Sequence, residues 1–327
     1  MAELLPWHQR QWTGLIARLR SGTFPHALLL TGPAGLGKRQ FAESLAQAVL
    51  CQQPREDGQA CGSCRSCLLY VAGSHPDHLA VSPEQDSKVI KIGQIRSLIA
   101  SLGLKSQLSG FRVALITPAE RMNTEAANSL LKTLEEPGER TLLMLVSTQP
   151  GFLPATVRSR CQKIVFARPP RELAEPWLLN QAQVDDPGLL LALADGAPLA
   201  ALALAEGGGL ARRASLLKDL EDVIGGRRDP LAVAEQWQNE NVAESIDWLR
   251  SWIMDLIRLK ATVAPPTLAN RDLKQHLQPI AKQVDLKALY GHFDRLQQAA
   301  RLANSQVSNQ SILEEVLIPW RNAIRGR

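Results

Sequence analysis

The apolar residues of this chain fall into two regimes. In roughly the first half they come in short continuous runs: His26-Ala27-Leu28-Leu29-Leu30-Thr31, Val113-Ala114-Leu115-Ile116, Leu142-Leu143-Met144-Leu145-Val146 and Ile164-Val165-Phe166. The first run reads as a buried strand and the others as short runs of strand length. Between them the pattern predicts a helix over 38–50, following a glycine-rich turn, and a second over 124–135 that Pro137-Gly138 ends. Strands alternating with helices imply a parallel sheet covered on both faces, an α/β domain of about 165 residues. After Arg168-Pro169-Pro170 the strand signals fade and the text becomes helical. Breaks come at Gly196-Ala197-Pro198, at Gly207-Gly208-Gly209, which reads as a linker, and at Gly225-Gly226. Beyond them Ile246, Leu249, Ile253, Leu256 and Ile257 recur at helical spacing, as do Leu286, Leu289, Tyr290, Phe293 and Leu296, and then Leu313, Val316, Leu317, Trp320 and Ile324. Such stripes predict the core of a helical bundle, or one that also packs against a neighbouring subunit.

Composition narrows the class. With 327 residues, 45% apolar and 21% charged, the chain has the profile of a soluble multidomain protein. It lacks the long apolar run that a membrane span requires, and Met1 to Trp12 lacks the features of an export signal, so a cytoplasmic protein is expected. A net charge of +5, spread along the chain, permits contact with nucleic-acid phosphates without demanding it.

Gly32-Pro33-Ala34-Gly35-Leu36-Gly37-Lys38-Arg39 carries the GxxxxGK core of a phosphate loop, placed between a predicted strand and a predicted helix. In such loops glycines let backbone N–H groups face the phosphates, and the lysine reaches the terminal ones. The next position normally holds Mg²⁺ through a hydroxyl, and here it is Arg39, whose guanidinium cannot ligate a metal. The strand expected to supply metal-holding acids runs instead into Thr117-Pro118. Two parts of a hydrolytic site are therefore missing. The loop is left with two readings, a tight turn required by the fold or nucleotide binding without turnover.

Four of the five cysteines, Cys51, Cys61, Cys64 and Cys67, fall within 17 residues. Their spacing suits a closed, structural tetrahedral zinc site; an iron–sulfur cluster or unrelated reduced thiols are the other readings. His75 and His78 stand just downstream, as solvated loop residues or as substitute ligands. Arg160, in Ser159-Arg160-Cys161, reads from spacing alone as a surface charge or as an arginine finger, with nothing in the pattern to decide.

The chain resembles the delta-prime subunits of bacterial DNA polymerase III clamp loaders, in the AAA+ clamp-loader family. The likeness covers most of residues 24–200. It rests on the phosphate loop, the cysteine quartet, Ala119-Glu120-Arg121-Met122-Asn123, the stretch Leu130-Leu131-Lys132-Thr133-Leu134-Glu135-Glu136-Pro137 and Arg158-Ser159-Arg160-Cys161, in the family's order. The resemblance implies an AAA+ α/β module over 1–167 with an inserted zinc module at about 51–67. A small helical lid over 168–209 and a C-terminal all-α collar over 210–327 would follow.

It further implies that Cys51, Cys61, Cys64 and Cys67 hold Zn²⁺ and that Arg160 acts in trans on ATP in an adjacent subunit. Gly32, Gly35, Gly37 and Lys38 would form a degenerate loop that turns over neither ATP nor Mg²⁺-bound ADP. Ser147-Thr148 aligns with a nucleotide-sensing position, and Leu199 replaces the arginine of a second sensor. The implied partners are gamma/tau-type ATPase subunits and a delta subunit in a five-subunit ring, with the sliding clamp and primed DNA reached through the complex and no membrane. An active motor subunit is the first rival, opposed by Arg39 and Thr117-Pro118. A zinc-module reader of nucleic acid is the second, opposed by a segment that offers only Arg55, Arg65 and Tyr70.

Overall fold

A computed structural model of the chain describes residues 4–85, 87–108, 110–262, 267–303 and 307–324, with the side chains of the last helix described to Trp320. Its contacts divide it into two units: Met1–Trp177 with Ala197–Ala200, and Leu178–Gly196 with Ala201–Arg327.

The first unit runs α1 (Gln9–Arg20), β1 (Ala27–Thr31), α2 (Lys38–Leu50), α3 (Arg65–Val71), β2 (His78–Val81), α4 (Ile92–Leu102) and β3 (Arg112–Ile116). It continues with α5 (Thr124–Ser129), α6 (Leu131–Glu135), β4 (Thr141–Ser147), α7 (Ala155–Arg158) and β5 (Gln162–Val165). The strands form one parallel sheet in the order β2-β3-β4-β1-β5. Because side chains alternate across a strand, each buried run feeds two cores. Leu28, Leu30, Val113, Leu115, Leu142 and Met144 pack on one face with Trp12, Phe41 and Leu45. Ala27, Leu29, Ala114, Ile116, Leu143 and Leu145 pack on the other with Ile95, Leu98 and Leu130. Helices thus cover both faces, as the continuous apolar runs require.

Two details depart from expectation. β2 answers to no strand expected from the sequence, although Leu79-Ala80-Val81 is an apolar run as short as Ile164-Val165-Phe166: it is an edge strand, half-exposed, paired to β3 from His78↔Val113 to Val81↔Ile116. The helix expected over 124–135 is two short helices meeting at Leu130. Asn123 caps the first through Ala126 N at 2.9 Å, and the Ser129 hydroxyl donates back to Ala126 O at 2.8 Å, the competition that bends helices.

Three further helices, α8 (Arg171–Gln181), α9 (Pro187–Leu193) and α10 (Pro198–Glu206), are followed by α11 (Gly209–Ile224), α12 (Pro230–Trp237) and α13 (Val242–Ala261), then by α14 (Lys274–Gln283), α15 (Leu286–Leu302) and α16 (Asn309–Ile324). The triglycine is a tight turn and not a linker: Gly208 takes φ +68° and Gly209 already opens α11. The core of the second unit gathers Trp237, Trp252, Trp320, Leu249, Ile253 and Leu317. The predicted stripes are buried except on α15, where Leu286 and Phe293 are partly buried against the core and Tyr290 is half-exposed; the side chain of Ile324 lies outside the described residues. Buried charges here are paired. Arg213 reaches Asp272 Oδ2 at 2.6 Å and Asn270 Oδ1 at 2.8 Å and lies 5.5 Å from the Trp248 ring centre, while Asp255 accepts from Asn270 N at 2.7 Å.

Candidate functional site

The phosphate loop leaves the carboxyl end of β1, and the ends of β3 and β4 lie on the same edge of the sheet, the usual ligand side of open α/β sheets. Gly37 takes φ +81°, a hand that a side chain disfavours, and a Cβ there would come 2.4 Å from Leu5 Cδ1. Gly32 is pinned by close approach: an added Cβ would stand 2.3 Å from the Phe166 carbonyl. At Gly35 it would stand 2.7 Å from Ala200 Cβ. The N-terminal segment straps the loop, with Trp7 Nε1 donating to Leu36 O at 3.1 Å and His8 Nε2 at 2.7 Å from the same oxygen.

Lys38 is buried and turned inward, donating from Nζ to Gly32 O at 2.7 Å and to Pro33 O at 2.5 Å. Burial lowers its pKa, and the charge of Glu120 works against that. A cleft of about 430 Å³ beside the loop is lined by Lys38, Arg39, Thr117, Pro118, Thr148 and Leu199, among others. Its one lining carboxylate among the described residues, Glu43, is engaged by Arg39 Nε at 2.8 Å. Nearby Glu120 accepts from Thr148 Oγ1 at 2.6 Å and Thr148 N at 3.0 Å. Burial pushes the Glu120 carboxyl up, but these bonds outweigh it and hold the group below its ordinary range. Mg²⁺ wants a cluster of oxygen ligands, and a cleft that offers Arg39, Thr117 and Pro118 at the usual ligand positions does not fit it.

The four cysteines do converge. Their Sγ atoms all lie within 4.8 Å of one another, with Cys51–Cys64 and Cys61–Cys67 each at 3.9 Å. Tetrahedral zinc with Zn–S of about 2.3 Å separates its sulfurs by about 3.8 Å, so the donor set fits one such ion. Backbone N–H groups already point at sulfur, from Cys61 to Cys51 and from Cys64 to Cys61, each at 3.3 Å. The amides of Ser63 and Cys64 pull the Cys61 thiol down to about 6, whereas burial pushes Cys67 up. The module is tied to its unit by Trp12 Nε1 to Asp57 O at 3.0 Å, by Arg20 Nη2 to Glu56 O and by Ser66 Oγ to Leu50 O at 2.6 Å. Neither His75 nor His78 joins the sulfur cluster, and His75 is not solvated. His75 is buried against Ser66 Oγ at 2.8 Å, and His78 begins β2 with its ring 4.7 Å from that of Tyr70.

Arg160 follows α7 and is partly exposed. Its Nε donates to Glu135 Oε1 at 2.7 Å, its Nη2 reaches the same oxygen, and its Nη1 donates to Thr156 O at 2.9 Å. Sequence reasoning missed the parts played by Glu120, Glu135 and the Ser66–His75 pair. Both glutamates lie inside motifs already singled out, but a one-dimensional pattern says nothing of who meets Thr148 or Arg160 in space.

A parallel five-stranded sheet with a phosphate loop on its ligand edge, followed by an all-α region, defines a P-loop module of the AAA+ class, here with its metal-holding set replaced. Residues 7–170 match the family described as DNA polymerase III, delta subunit, and residues 208–322 match its C-terminal domain. The chain is 36% identical over 326 residues to DNA polymerase III subunit delta' of Pseudomonas aeruginosa, covering 98% of each. It is 32% identical to that of Escherichia coli, covering 86% of each. Residues of the chain also match DNA polymerase III subunit tau of Bacillus subtilis at 34% identity, over 44% of this chain and 25% of that one. The chain therefore belongs to the family of DNA polymerase III delta' subunits. Among the described residues no single helix is long and apolar enough to cross a membrane.

Proposed function

We propose that the chain is the non-hydrolysing, delta-prime member of a clamp loader, which helps place a ring-shaped sliding clamp on primed DNA in the cytoplasm. Its α/β module over 1–167 and lid over 168–209 stand in a five-subunit ring beside gamma/tau-type ATPase subunits and a delta subunit. The helical region over 210–327 is the collar that holds the ring together, and Cys51, Cys61, Cys64 and Cys67 hold a structural Zn²⁺. Gly32, Gly35, Gly37 and Lys38 keep the shape of a phosphate loop without turning over nucleotide. Arg160 enters the active site of the adjacent motor subunit and stabilises charge on the transferred phosphate.

The observation that carries this reading is the set of residues around the loop. Arg39 stands where a hydroxyl would hold Mg²⁺, β3 runs into Thr117-Pro118 where acids would hold it, and the one carboxylate lining the cleft among the described residues, Glu43, is paired with Arg39. With Lys38 also bonded to its own loop, the chain has no route to turnover at its own site, while Arg160 keeps an exposed guanidinium edge. The kinship with a tau subunit supports neighbours built on the same module.

The test is the steady-state ATPase of the reconstituted loader with clamp and primed DNA. The isolated chain should be silent with or without Mg²⁺. Arg160→Ala should lower turnover of the complex by about tenfold or more with assembly intact. Turnover by the isolated chain would overturn the non-hydrolysing reading, and an unchanged complex would overturn the finger.

A further inference from the structure

Of the five N–H groups on the Arg160 guanidinium, three are engaged within this chain, two by the single oxygen Glu135 Oε1 and one by Thr156 O. Glu135 ends α6, inside the Leu-Leu-Lys-Thr-Leu-Glu-Glu-Pro stretch, and Thr156 lies on α7, so two separate elements grip one planar group. Both side chains of the ion pair reach solvent, Arg160 at 34% and Glu135 at 50%. We infer that Glu135 is a positioning residue: it fixes the plane of the Arg160 guanidinium from the Nε side and leaves two N–H groups for a phosphate oxygen of a neighbouring molecule.

Three features carry this. First, both of Glu135's contacts go through one carboxylate oxygen, so the guanidinium meets it along the Nε–Nη2 edge, and the side chain cannot swing about χ4 without losing a bond. Second, Thr156 O is a backbone acceptor one helical turn before Arg160, which fixes the stem of the side chain relative to α7. Third, an exposed pair of this kind adds little to stability. Its consequence therefore lies in orientation, where an arginine held in one plane loses less freedom when it meets a phosphate. A motif that reads in sequence as part of the core helix thus has Glu135, the last residue of α6, facing outward to the finger. Leu134 beside it is buried, and the turn to Pro137 sets Glu135 at the surface.

The inference rests on the trans-acting role of Arg160 proposed above. It is tested in the reconstituted loader by comparing Glu135→Ala, Glu135→Gln, Arg160→Ala and the double Glu135→Ala/Arg160→Ala variant, after checking that each chain melts like wild type and assembles. Glu135→Ala is expected to lower kcat for ATP several-fold with KM unchanged. Glu135→Gln, whose amide oxygen still accepts both N–H groups, should recover most of the rate. The double variant should be no slower than Arg160→Ala alone. If Arg160→Ala slows the complex and Glu135→Ala does not, the positioning role is wrong and the finger stands. A rise in kcat for Glu135→Ala would also overturn it, since the pair would then be a restraint on the finger. If Arg160→Ala itself has no effect, the finger reading has failed and Glu135 has nothing to position.

Discussion

At the residue scale, the phosphate loop shows how one motif can outlast its chemistry. Gly32 and Gly37 are required by a 2.3 Å approach to Phe166 and by a left-handed turn into α2, both demands of the fold. Lys38 serves the same end by closing the loop on its own carbonyls, Gly32 O and Pro33 O. Lys38→Met should therefore behave as a stability variant. Losing two charge-assisted bonds costs about 1.5–3 kcal/mol each, largely offset because a lysine that burial disfavours is no longer desolvated. The expected result is a melting temperature lower by a few degrees, with loader ATPase and clamp loading unchanged once the chain is folded. Loss of loading at an unchanged melting temperature would instead make the loop a working nucleotide site. The sequence displayed Arg39 and Thr117-Pro118 at the lost metal positions. It did not display that Glu120 sits by Lys38 and binds Thr148, because that meeting depends on β3 and β4 lying side by side in the sheet.

At the element scale, the cysteine module is a loop between α2 and the end of α3 with little core of its own. It is held by Trp12 to Asp57, by Ser66 to Leu50 and by the sulfurs. Metal binding to such a segment is folding free energy for that segment. The purified chain should carry one zinc, and stripping it with a chelator, or Cys64→Ser, should speed amide exchange across 51–75 while β1 and β4 stay protected by two-sided burial. A metal-free preparation, or exchange unchanged on stripping, would refute a structural ion. How legible each element was followed from its burial. β1, β3 and β4 are buried on both faces and so appeared as unbroken apolar runs of four or more, whereas the edge strand β2 turns Leu79 and Val81 to the core and leaves Ala80 exposed, within a run of three. The break at Leu130 and the turn at Gly208 were invisible for another reason. Each is decided by a local hydrogen bond or backbone hand, within a residue pattern that suits a continuous helix or a linker equally well.

At the scale of the whole molecule, each contact unit has its own core and its own buried neutral histidine, so each has its own acid sensitivity. His8 of the first unit lies between Phe41 and Phe166, with its Nδ1 unpartnered. His292 of the second stacks on Trp320 at 5.0 Å and 17°. Burial lowers the pKa of each to about 4 from an ordinary value near 6.5. A depressed histidine pKa means that the unfolded chain binds the proton first. Stability is full above about pH 6.5 and falls as pH drops toward 4, by up to about 1.4 kcal/mol per pH unit for each histidine. His292→Phe keeps an aromatic ring on Trp320 and removes the proton site, so it should flatten the pH dependence of the second unit alone between pH 6.5 and 4. His8→Phe should lessen but not remove the pH dependence of the first unit, where burial also lowers the pKa of His75 and His78, and it costs the bond to Leu36 O. Calorimetric melts at half-unit steps of pH would resolve the two, and the tryptophans help: Trp7, Trp12 and Trp177 report on the first unit, and Trp237, Trp248, Trp252 and Trp320 on the second. An unaltered slope in His292→Phe would mean that His292 is protonated in the folded chain, which its near-complete burial beside Trp320 makes costly. The same burial sets what each unit revealed in sequence. The helical stripes of the second unit, apart from Tyr290, were legible because they are its core, but the ion pairs that tie its helices, such as Arg213 to Asp272, join residues 59 positions apart and leave no periodic trace.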